Sequence, residues 1–522
     1  MAGAAALLGA GPLAVPGAAG AQAAALRAAG TWGRAIAVPG LAALNKGRHA
    51  DVLSVSCPSA GNCAVGGYYQ NHGKQGFLAV ESNGRWRQAI EVPGLGTLNK
   101  GGNAAVSSVS CASAESCAAG GAYTDGDGHQ QGFVAVKRNG RWRQAIEVPG
   151  LGALNKGGPA QVYQVSCASA GSCAAGGFYR DGDGHQQGFA AVESNGRWRQ
   201  AIEVPGLGTL NKGGNAAVSS VSCASAESCA AGGAYTDGGG HQQGFVAVKR
   251  NGRWRQAIEV PGLGTLNKGG TAAVNSVSCA SAGNCSAGGD YSTDTSGATQ
   301  AFVVSERNGS WGAAQQVAGA LNVGGEASVG SVSCASAGSC SAGGGYRDGS
   351  DNYQAFVISE VNGTWAAARE TAGNLNINGA ASVYSVSCAS AGNCSAGGDY
   401  DYAYNFGFVV SEKNGVWGKA ISVPGLGALA FRFSDVLSAS CASAGNCAAG
   451  GDYETGGGNQ GFVVSEKNGV WRKAITVPGL GSLNEGRYAG VESVSCASAG
   501  NCAAGGYYSE TGRHLPFQGF VT

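Results

Sequence analysis

The sequence predicts an all-β protein that folds as a single closed β-propeller of nine four-stranded blades, and three observations support this prediction. The chain has 522 residues, and its 18 cysteines form nine Cys-x5-Cys pairs that recur every 53 to 56 residues. Its nine tryptophans follow the same spacing. Each resulting unit contains four short runs of strand-forming residues separated by turn residues, which is the pattern of a repeated antiparallel sheet.

Residues 105–149 show how one unit is predicted to fold. Four strands, which we name A to D in chain order, form a meander. Asn139 and Gly140 lie between strands C and D. An Asn-Gly pair is typical of a tight hairpin turn, because both central positions of that turn need a positive φ.

Strand D alternates between apolar and polar residues, which predicts one buried and one exposed face. We expect Trp142, Ile146 and Val148 to point inward, and the tryptophans to fill gaps between blades. Strands A and B are rich in Ser, Ala and Gly, and such small residues suit places where neighbouring sheets lie close together.

The two chain ends predict how the ring closes. Residues 31–39 read as a strand D with no strands before it, whereas the ninth unit ends after strand C at Thr522. The two fragments add up to one blade, and a propeller closed by an N-terminal outer strand needs this arrangement. Nine blades exceed the usual four to eight, so an open superhelix and two smaller rings are the alternatives.

The paired cysteines predict one local disulfide between strands A and B of each unit. A metal site is the alternative, but each unit offers two thiolates, no histidine recurs in all nine units, and structural zinc needs four ligands. Each disulfide would contribute about 2 kcal/mol in the chain-entropy model. The predicted disulfides are Cys57–Cys63, Cys111–Cys117, Cys167–Cys173, Cys223–Cys229, Cys279–Cys285, Cys334–Cys340, Cys388–Cys394, Cys441–Cys447 and Cys496–Cys502.

The blades resemble those of Asp-box, sialidase-like propellers. The resemblance rests on the recurring patterns SVSC, NCAAGG and GFVAVES, followed by NG and RW. The turn before the tryptophan is shortened, as in Ser305–Trp311, and lacks the Asp and second Gly of the Asp-box. The paired cysteines and the Ala- and Gly-rich composition also resemble secreted, actinobacterial-type repeat proteins. These resemblances imply an architecture and do not by themselves imply an activity.

Composition excludes some classes of protein and predicts a compartment. A net charge of +1 and a charged fraction of 12% argue against nucleic-acid binding, which needs clustered cations. No apolar run is long enough for a membrane span. Residues 1–23 resemble a signal peptide with a cleavage signature near Ala23, although a basic n-region is missing. Together with the cysteines, this predicts a secreted, extracellular protein whose propeller domain covers residues 24–522.

The B–C and D–A loops are predicted to share one face of the ring, where a ligand would bind. The D–A loops carry repeated Asn-Lys pairs, and the B–C loops carry repeated histidines. Lysines would attract acidic glycans, although a merely solvated surface is the plainer interpretation. The candidate ligand-binding residues are Asn99, Lys100, Asn155, Lys156, Asn211, Lys212, Asn267, Lys268, His129, His185 and His241.

The B–C loops of units two and three read Asp-Gly-Asp-Gly-His, which resembles part of a calcium loop. The third ligand position holds a histidine rather than an acid, and the fourth unit has Gly239 in place of the second Asp. We interpret the segment as an Asp-Gly turn and predict no metal and no cofactor.

No catalytic constellation is evident in the sequence. Most acidic residues occur at equivalent positions in several units. A glycosidase needs two carboxylates at positions that differ from the repeat pattern. Residues 79–152 recur at 191–264 with a single change, and such duplicated units favour multivalent binding. The sequence predicts a monomeric, non-catalytic binding protein for glycans or cell-surface proteins. A structural or protein-interaction scaffold and a degenerate propeller glycosidase are the alternatives.

Overall fold

The computed structural model describes residues 31–156, 158–377, 379–402, 404–511 and 516–522. They form nine antiparallel sheets with the strand order A-B-C-D, and strand A is innermost. The predicted β-propeller of nine four-stranded blades is therefore confirmed. The predicted signal peptide, residues 1–23, lies outside the described residues.

Strands A, B and C are continuous in every blade. From blade 1 to blade 9, strand A spans Ala50–Ser59, Ala105–Ser113, Gln161–Ser169, Ala217–Ser225, Ala272–Ser281, Ala327–Ser336, Ser382–Ser390, Ser438–Ser443 and Ala489–Ser498. Strand B spans Asn62–Gln70, Ser116–Thr124, Ser172–Arg180, Ser228–Thr236, Asn284–Ser292, Ser339–Arg347, Asn393–Asp401, Asn446–Thr455 and Asn501–Ser509. Strand C spans Lys74–Ser82, Gln130–Arg138, Gln186–Ser194, Gln242–Arg250, Thr299–Arg307, Tyr353–Val361, Asn405–Lys413, Gly458–Lys467 and Phe517–Val521.

Strand D is divided into two short pieces. In blades 1 to 8 the first piece spans Arg85–Trp86, Arg141–Trp142, Arg197–Trp198, Arg253–Trp254, Ser310–Trp311, Thr364–Trp365, Val416–Trp417 and Val470–Trp471. The second spans Ile90–Glu91, Ile146–Glu147, Ile202–Glu203, Ile258–Glu259, Gln315–Val317, Arg369–Glu370, Ile421–Ser422 and Ile475–Thr476. Seven D–A loops carry a single helical turn, at Leu41–Leu44, Leu95–Leu98, Leu151–Leu154, Leu207–Leu210, Leu263–Leu266, Leu426–Ala428 and Leu480–Ser482.

Strand D contradicts the predicted alternation. In blade 2, Trp142 pairs with Lys137 but Ile146 pairs with Val134, so strand D has one extra residue between the two pairs. A bulge of one residue moves the following side chains to the opposite face. Ala145 is consequently buried and Ile146 is exposed. The prediction that Ile146 points inward is wrong for this reason.

The ring is closed by an outer strand from the N-terminal part of the chain. Ile36–Ala37 forms strand D of blade 9, where Ile36 pairs with Val521. Each strand A contacts the strand A of both neighbouring blades, and that of blade 9 contacts that of blade 1. The nine blades therefore form one closed ring, which excludes an open superhelix and two smaller rings.

Serine side chains join the inner strands around the whole ring. In the Ser-Val-Ser-Cys motif of blade 1, Ser54 accepts the Val109 N–H and Ser56 accepts the Cys111 N–H of blade 2, both at 3.0 Å. The same two bonds recur at every junction, with Gln164 replacing one serine. The motif thus satisfies backbone groups of the next blade, a role that the sequence patterns did not reveal.

Glycines in strand B let the next blade approach closely. A β-carbon on Gly120 would lie 2.6 Å from a methyl carbon of Val162 and 2.7 Å from one of Val165, both in blade 3. A β-carbon on Gly121 would lie 1.9 Å from the carbonyl oxygen of Ala105 in its own blade. The hydrophobic core lies between successive blades, and the predicted role of the small residues is confirmed.

The tryptophans lie between blades, as predicted. Trp365 Nε1 donates to Ser305 Oγ of the preceding blade at 2.9 Å. The same bond is made by Trp32, Trp417 and Trp471. Blades 1 to 4 have valine at the position that Ser305 occupies in blade 5. In the blade that follows each of these valines, the tryptophan Nε1 has no hydrogen-bond partner among the described residues.

All nine predicted disulfides are present. Each joins strands A and B of one blade, and the paired Cα atoms are 3.9 to 4.1 Å apart. Since no described cysteine is free, the cysteine metal site is excluded. Nine local disulfides favour an oxidising compartment. Among the described residues, no helix has the length and apolar character needed to cross a membrane.

Candidate functional site

The turns divide the ring into two faces, as predicted. On one face, the A–B and C–D turns of a blade touch, and the Gly84 N–H donates to the Gly61 carbonyl at 2.8 Å. On the opposite face, which we call the loop face, each D–A loop lies against the B–C loop of the following blade. There the Gly101 N–H donates to the Thr124 carbonyl at 2.9 Å.

The four candidate asparagines are buried and hold the loop face together. The Asn99 amide donates to the Lys74 carbonyl at 3.0 Å and to Gln75 Oε1 at 2.8 Å. Its Oδ1 accepts the N–H groups of Asn103 and Thr124 at 2.9 and 3.2 Å. Equivalent bonds are made by Asn155, Asn211 and Asn267. These side chains position the loops, so ligand contacts on this face would come from other residues.

The candidate lysines and histidines are exposed on the loop face: Lys100, Lys156, Lys212, Lys268, His129, His185 and His241. Aspartates of the B–C loops accompany them in blades 2 to 4. The Lys100 side chain passes over Gly126, which lies between Asp125 and Asp127. Because at least one carboxylate accompanies each of Lys100, Lys156 and Lys212, the loops of blades 2 to 4 do not form a net cationic surface.

The Asp-Gly-Asp-Gly-His loops are closed by their own first aspartate. Asp125 Oδ1 accepts the N–H groups of Asp127 and His129 at 3.0 and 2.9 Å, and Asp181 makes the same bonds in blade 3. In both loops, two carboxylates and an imidazole bring potential metal-ligand atoms within 4.8 Å of one another. The hydrogen bonds that the first aspartate accepts within its own loop are those expected of an Asp-Gly turn.

One loop position changes character around the ring. It follows the buried asparagine and holds exposed lysines before blades 1 to 5, at Lys46, Lys100, Lys156, Lys212 and Lys268. Before blades 6 and 7 it holds Val323 and Ile377, and the loop before blade 8 presents Phe431. These three side chains are exposed, as are Tyr402 and Tyr404 of blade 7. The loop face therefore has a polar half and an apolar, aromatic half.

Two positions of each blade line the central channel near the loop face. One is the bulge residue of strand A, and the other follows the Gly-Gly pair of strand B. From blade 1 to blade 9, the strand A residues are Leu53, Ser107, Tyr163, Ser219, Asn275, Gly330, Tyr384, Leu437 and Glu492. The strand B residues are Tyr68, Ala122, Phe178, Ala234, Asp290, Gly345, Asp399, Asp452 and Tyr507.

Blade 6 alone has glycine at both channel-lining positions, and a cavity of about 490 Å³ lies there. A β-carbon on Gly330 would meet no atom nearer than 3.9 Å, so the cavity occupies space that side chains fill in other blades. Tyr353 and Tyr384, which are 38% and 46% exposed, form part of its wall. Polar groups in the wall come from Thr299, Glu326, Ser328 and Ser382.

Buried carboxyl groups lie in the two blades next to blade 6, outside the wall of the cavity. On the blade 5 side, Asp290 Oδ1 accepts a hydrogen bond from Ser328 Oγ at 3.1 Å, and burial raises the pKa of Asp290. In blade 7, burial raises the pKa of Asp399 to about 6. The charge of Asp435 also raises the pKa of Asp399.

The one carboxylate among the described residues of the wall is neutralised. Glu326 Oε2 lies 3.3 Å from the Arg347 guanidinium, which is also 4.7 Å from the centre of the Tyr353 ring. This arginine therefore covers part of Tyr353, and Tyr384 is the more exposed aromatic ring of the wall.

A row of carboxyl groups runs through blades 7, 8, 9 and 1: Asp399, Asp435, Asp452, Glu492 and Asp51. Burial raises the pKa of every member, and neighbouring negative charges add to the rise for four of them. Burial together with the Glu492 charge raises the pKa of Asp51 to about 7. Burial therefore favours the protonated forms of these acids.

Sequence reasoning missed the cavity and the carboxyl row because it looked for features shared by all units. The informative signal lies in the differences. A position-by-position comparison of the nine units shows that Gly330 and Gly345 stand where side chains occur in the other units. Their proximity in space follows only from the pairing of strands A and B.

No protein-family profile and no curated protein sequence matches the chain. Among solved structures, it is similar to Sqt1 from Chaetomium thermophilum, with 11% identity, 82% of this chain and 97% of that chain covered, and a TM-score of 0.41. It is similar to an ulvan lyase with 9% identity, coverage of 78% and 89%, and a TM-score of 0.36. For a Hadza microbial sialidase the identity is 11%, the coverage 75% and 73%, and the TM-score 0.31. The similarity extends to the fold alone.

Proposed function

We propose that this protein is a secreted, non-catalytic binding protein that recognises glycans on its loop face, with the blade 6 cavity as its principal site. The observation that carries the proposal is the cavity of about 490 Å³ beside two exposed tyrosines, Tyr353 and Tyr384. Aromatic rings offer a flat apolar surface for the apolar face of a sugar, while hydroxyl and carboxylate groups exchange hydrogen bonds with its hydroxyls.

The size of the cavity supports this proposal. Sites for small ligands have volumes of roughly 300–1,000 Å³ and combine apolar walls with a few convergent polar groups. The blade 6 cavity, of about 490 Å³, lies within this range. It has room for a short stretch of an oligosaccharide.

A non-catalytic role is supported by the state of the nearby acids. Asp290 accepts hydrogen bonds from Asn275 and Ser328 at 2.9 and 3.1 Å. A general acid or base must reach the substrate with its own oxygen atoms, and neither Asp290 nor Asp399 lines the cavity.

The exposed lysines and histidines of blades 2 to 5 would supply weaker repeated contacts to a long glycan chain. They are Lys100, Lys156, Lys212, Lys268, His129, His185 and His241. Repeated weak contacts raise the overall affinity through effective concentration. Secretion is supported by the nine disulfides, which persist in oxidising compartments.

A glycan array, followed by calorimetry with each hit, tests the proposal. Gly330→Leu fills the cavity with a side chain that blades 1 and 8 carry at the same position, and it should weaken binding roughly tenfold or more. Ser107→Leu makes the matching change in blade 2 and should leave the affinity unchanged. A blank array, or equal loss of binding in both variants, would refute the blade 6 site.

The tyrosine platform is tested by a second matched pair. Tyr384→Ala removes the ring beside the cavity, whereas Tyr163→Ala removes the equivalent ring of blade 3, which packs against Phe178 with ring centres 5.3 Å apart. Only the first variant should lose affinity. Binding that survives Tyr384→Ala would show that sugar does not stack on this ring.

A protein-interaction scaffold is the second candidate function, because the same half of the loop face exposes Val323, Ile377 and Phe431. Exposed apolar clusters mark protein contacts more often than chance surfaces do. A blank glycan array, together with a protein partner that Phe431→Asp abolishes, would favour this function over glycan binding.

A further inference from the structure

The outer strands of blades 1 to 4 carry a repeated Arg-Trp-Arg motif at the start of strand D. The tryptophan of each motif packs against the core between two blades, whereas both arginines are exposed. Eight exposed arginines thus lie on four consecutive blades, next to the C–D turns and away from the loop face. We call them the arginine arc, which comprises the first and last residues of the motifs 85–87, 141–143, 197–199 and 253–255.

Strand pairing places both arginines of a motif on the same side of the blade. Arg141 pairs with Arg138 of strand C, and paired residues of an antiparallel sheet project from one face. Arg138 reaches the following blade, where its guanidinium lies 3.2 Å from Glu193 Oε1. Because side chains alternate along a strand, Arg143 projects from the same face as Arg141, whereas Trp142 projects from the opposite one. The arginines therefore lie along the outer edges of successive blades.

The charge of the arginine arc is not compensated by the protein. Arg85 apart, its members make no ion pair within the described part of the chain, whereas Arg138 and Arg250 of strand C are each paired with a glutamate. Two exposed acids, Glu115 and Glu227, lie on the A–B turns of the same blades. Eight arginines against two such acids leave a surplus of positive charge at this edge.

The outer strands also carry glutamates, but these lie nearer to the loop face. Glu147 follows Arg143 by four residues, and its Oε1 accepts the N–H of Gly152 in the helical turn at 2.6 Å. Four residues of strand span about 13 Å, whereas the screening length at physiological ionic strength is about 8 Å. The glutamates therefore leave the potential at the arginines positive.

The arginine arc ends after blade 4. Blades 5, 6 and 7 have no cation at either arginine position of the motif, and a net charge of +1 for the whole chain conceals this concentration. The cations are therefore confined to one continuous sector of the outer wall. The residues at the equivalent positions of blades 5 to 7 are Ser310, Gly312, Thr364, Ala366, Val416 and Gly418.

The chemistry and shape of this sector indicate the kind of partner. A guanidinium group presents a planar fork that binds a sulfate, phosphate or carboxylate group through two parallel hydrogen bonds. The two arginines of a motif are two positions apart on one strand, which places their Cα atoms about 7 Å apart and suits closely spaced anionic groups. The outer wall of a ring is convex, so a flexible chain can contact successive blades where a flat surface cannot. The disulfides favour an oxidising compartment and hence an extracellular partner.

We propose that the arginine arc binds a sulfated polysaccharide, which follows the outer wall of blades 1 to 4. This site is separate from the blade 6 cavity and does not rest on the glycan binding proposed there. Guanidinium groups hold the sulfates, and counterions released from the polymer contribute to the affinity as they do for other polyanions. Binding should consequently weaken steeply as the salt concentration rises.

The test compares dextran sulfate with uncharged dextran by calorimetry on the full chain, because the two polymers share one backbone. Dextran sulfate should bind and dextran should not. The combined variant Arg141→Gln, Arg143→Gln, Arg197→Gln and Arg199→Gln should bind dextran sulfate at least roughly tenfold more weakly. It should also reduce the slope of log K against log salt concentration by about three, since each lost ion contact contributes about 0.7 for a flexible polyanion. Absence of dextran sulfate binding would refute the proposal.

A control variant removes four exposed cations from the loop face: Lys46→Gln, Arg48→Gln, Arg432→Gln and Arg487→Gln. It changes the net charge by the same amount and should leave dextran sulfate binding nearly unchanged. Equal weakening in both combined variants would show that binding follows net charge, which would overturn the assignment to the arginine arc. Tighter binding of duplex DNA than of dextran sulfate would refute the polysaccharide partner. Gly330→Leu should retain full binding, and loss of dextran sulfate binding in that variant would place the polymer at the blade 6 cavity instead.

Discussion

Ser220 of blade 4 accepts a hydrogen bond from the backbone N–H of Val277 in blade 5 at 3.1 Å, and both groups are buried. This bond is one of two that join inner strands at each junction of the ring. Side-chain hydroxyls of a recurring motif therefore accept the backbone N–H hydrogen bonds that backbone carbonyls would accept in a continuous sheet. The inner wall of the propeller is held by side chain to backbone bonds.

Ser220→Ala should lower the free energy of unfolding by about 1–3 kcal/mol, because the Val277 N–H is left buried without an acceptor. Ser219→Ala is the matched control, since Ser219 is the adjacent, exposed bulge residue. Guanidinium unfolding of the two variants gives the comparison. Equal stability of the two would show that the hydroxyl ring contributes little.

Much of this fold could be predicted because its features repeat in the sequence. The nine disulfides, the closing strand at Ile36 and the positions of the tryptophans all follow from spacing within one unit. The exposed Ile146 could not be predicted, because a bulge depends on the pairing register between strands C and D. The burial of Asn99 depends on contacts between blades, which one unit does not contain. Gly330 became informative only when all nine units were compared.

The closing strand provides a second prediction. Val38 is buried, packs in the core that also contains Leu41 and Val521, and donates its N–H to Gly519 at 2.9 Å. Val38→Asp should destabilise the ring by on the order of several kcal/mol, because it buries an unpaired charge at the closure.

Ile36→Asp is the control for this change, since Ile36 lies two residues before Val38, in the closing strand, with its side chain exposed. Thermal unfolding and limited proteolysis of blade 9 measure the effect. Comparable proteolysis of the two variants would mean that the N-terminal strand is not what keeps the ring closed.

Two glycines with different surroundings provide a third prediction. Gly120→Ala places a methyl group 2.6 Å from a methyl carbon of Val162 and should cost about 1–3 kcal/mol of stability. Gly330→Ala points into open space and should be neutral or slightly stabilising, because alanine restricts the unfolded chain. Denaturant midpoints of both variants check this. A larger loss for Gly330→Ala would contradict the assignment of the cavity to missing side chains.

The buried acids predict how stability depends on pH. Burial and the charge of Glu492 raise the pKa of Asp51 to about 7, whereas an unfolded aspartate titrates near about 4. Folding therefore favours the protonated acid. The stability that this provides is fully present below the unfolded pKa and is lost as the pH rises through the folded pKa. Asp399 contributes in the same direction, with a pKa raised to about 6 chiefly by burial.

Asp51→Asn should consequently stabilise the protein at pH 8 by up to roughly a few kcal/mol and change little at pH 4, because the amide never ionises. The Oδ1 atom of Asp51 is buried and has no hydrogen-bond partner among the described residues, so the substitution breaks no bond at this atom. Asp127→Asn, at an exposed acid of blade 2, should be neutral at both values. Guanidinium unfolding at the two pH values measures the difference. If Asp51→Asn destabilised the protein equally at pH 4 and pH 8, the aspartate would be ionised at both values and bound to a cation, which would reverse the electrostatic argument for this side of the channel.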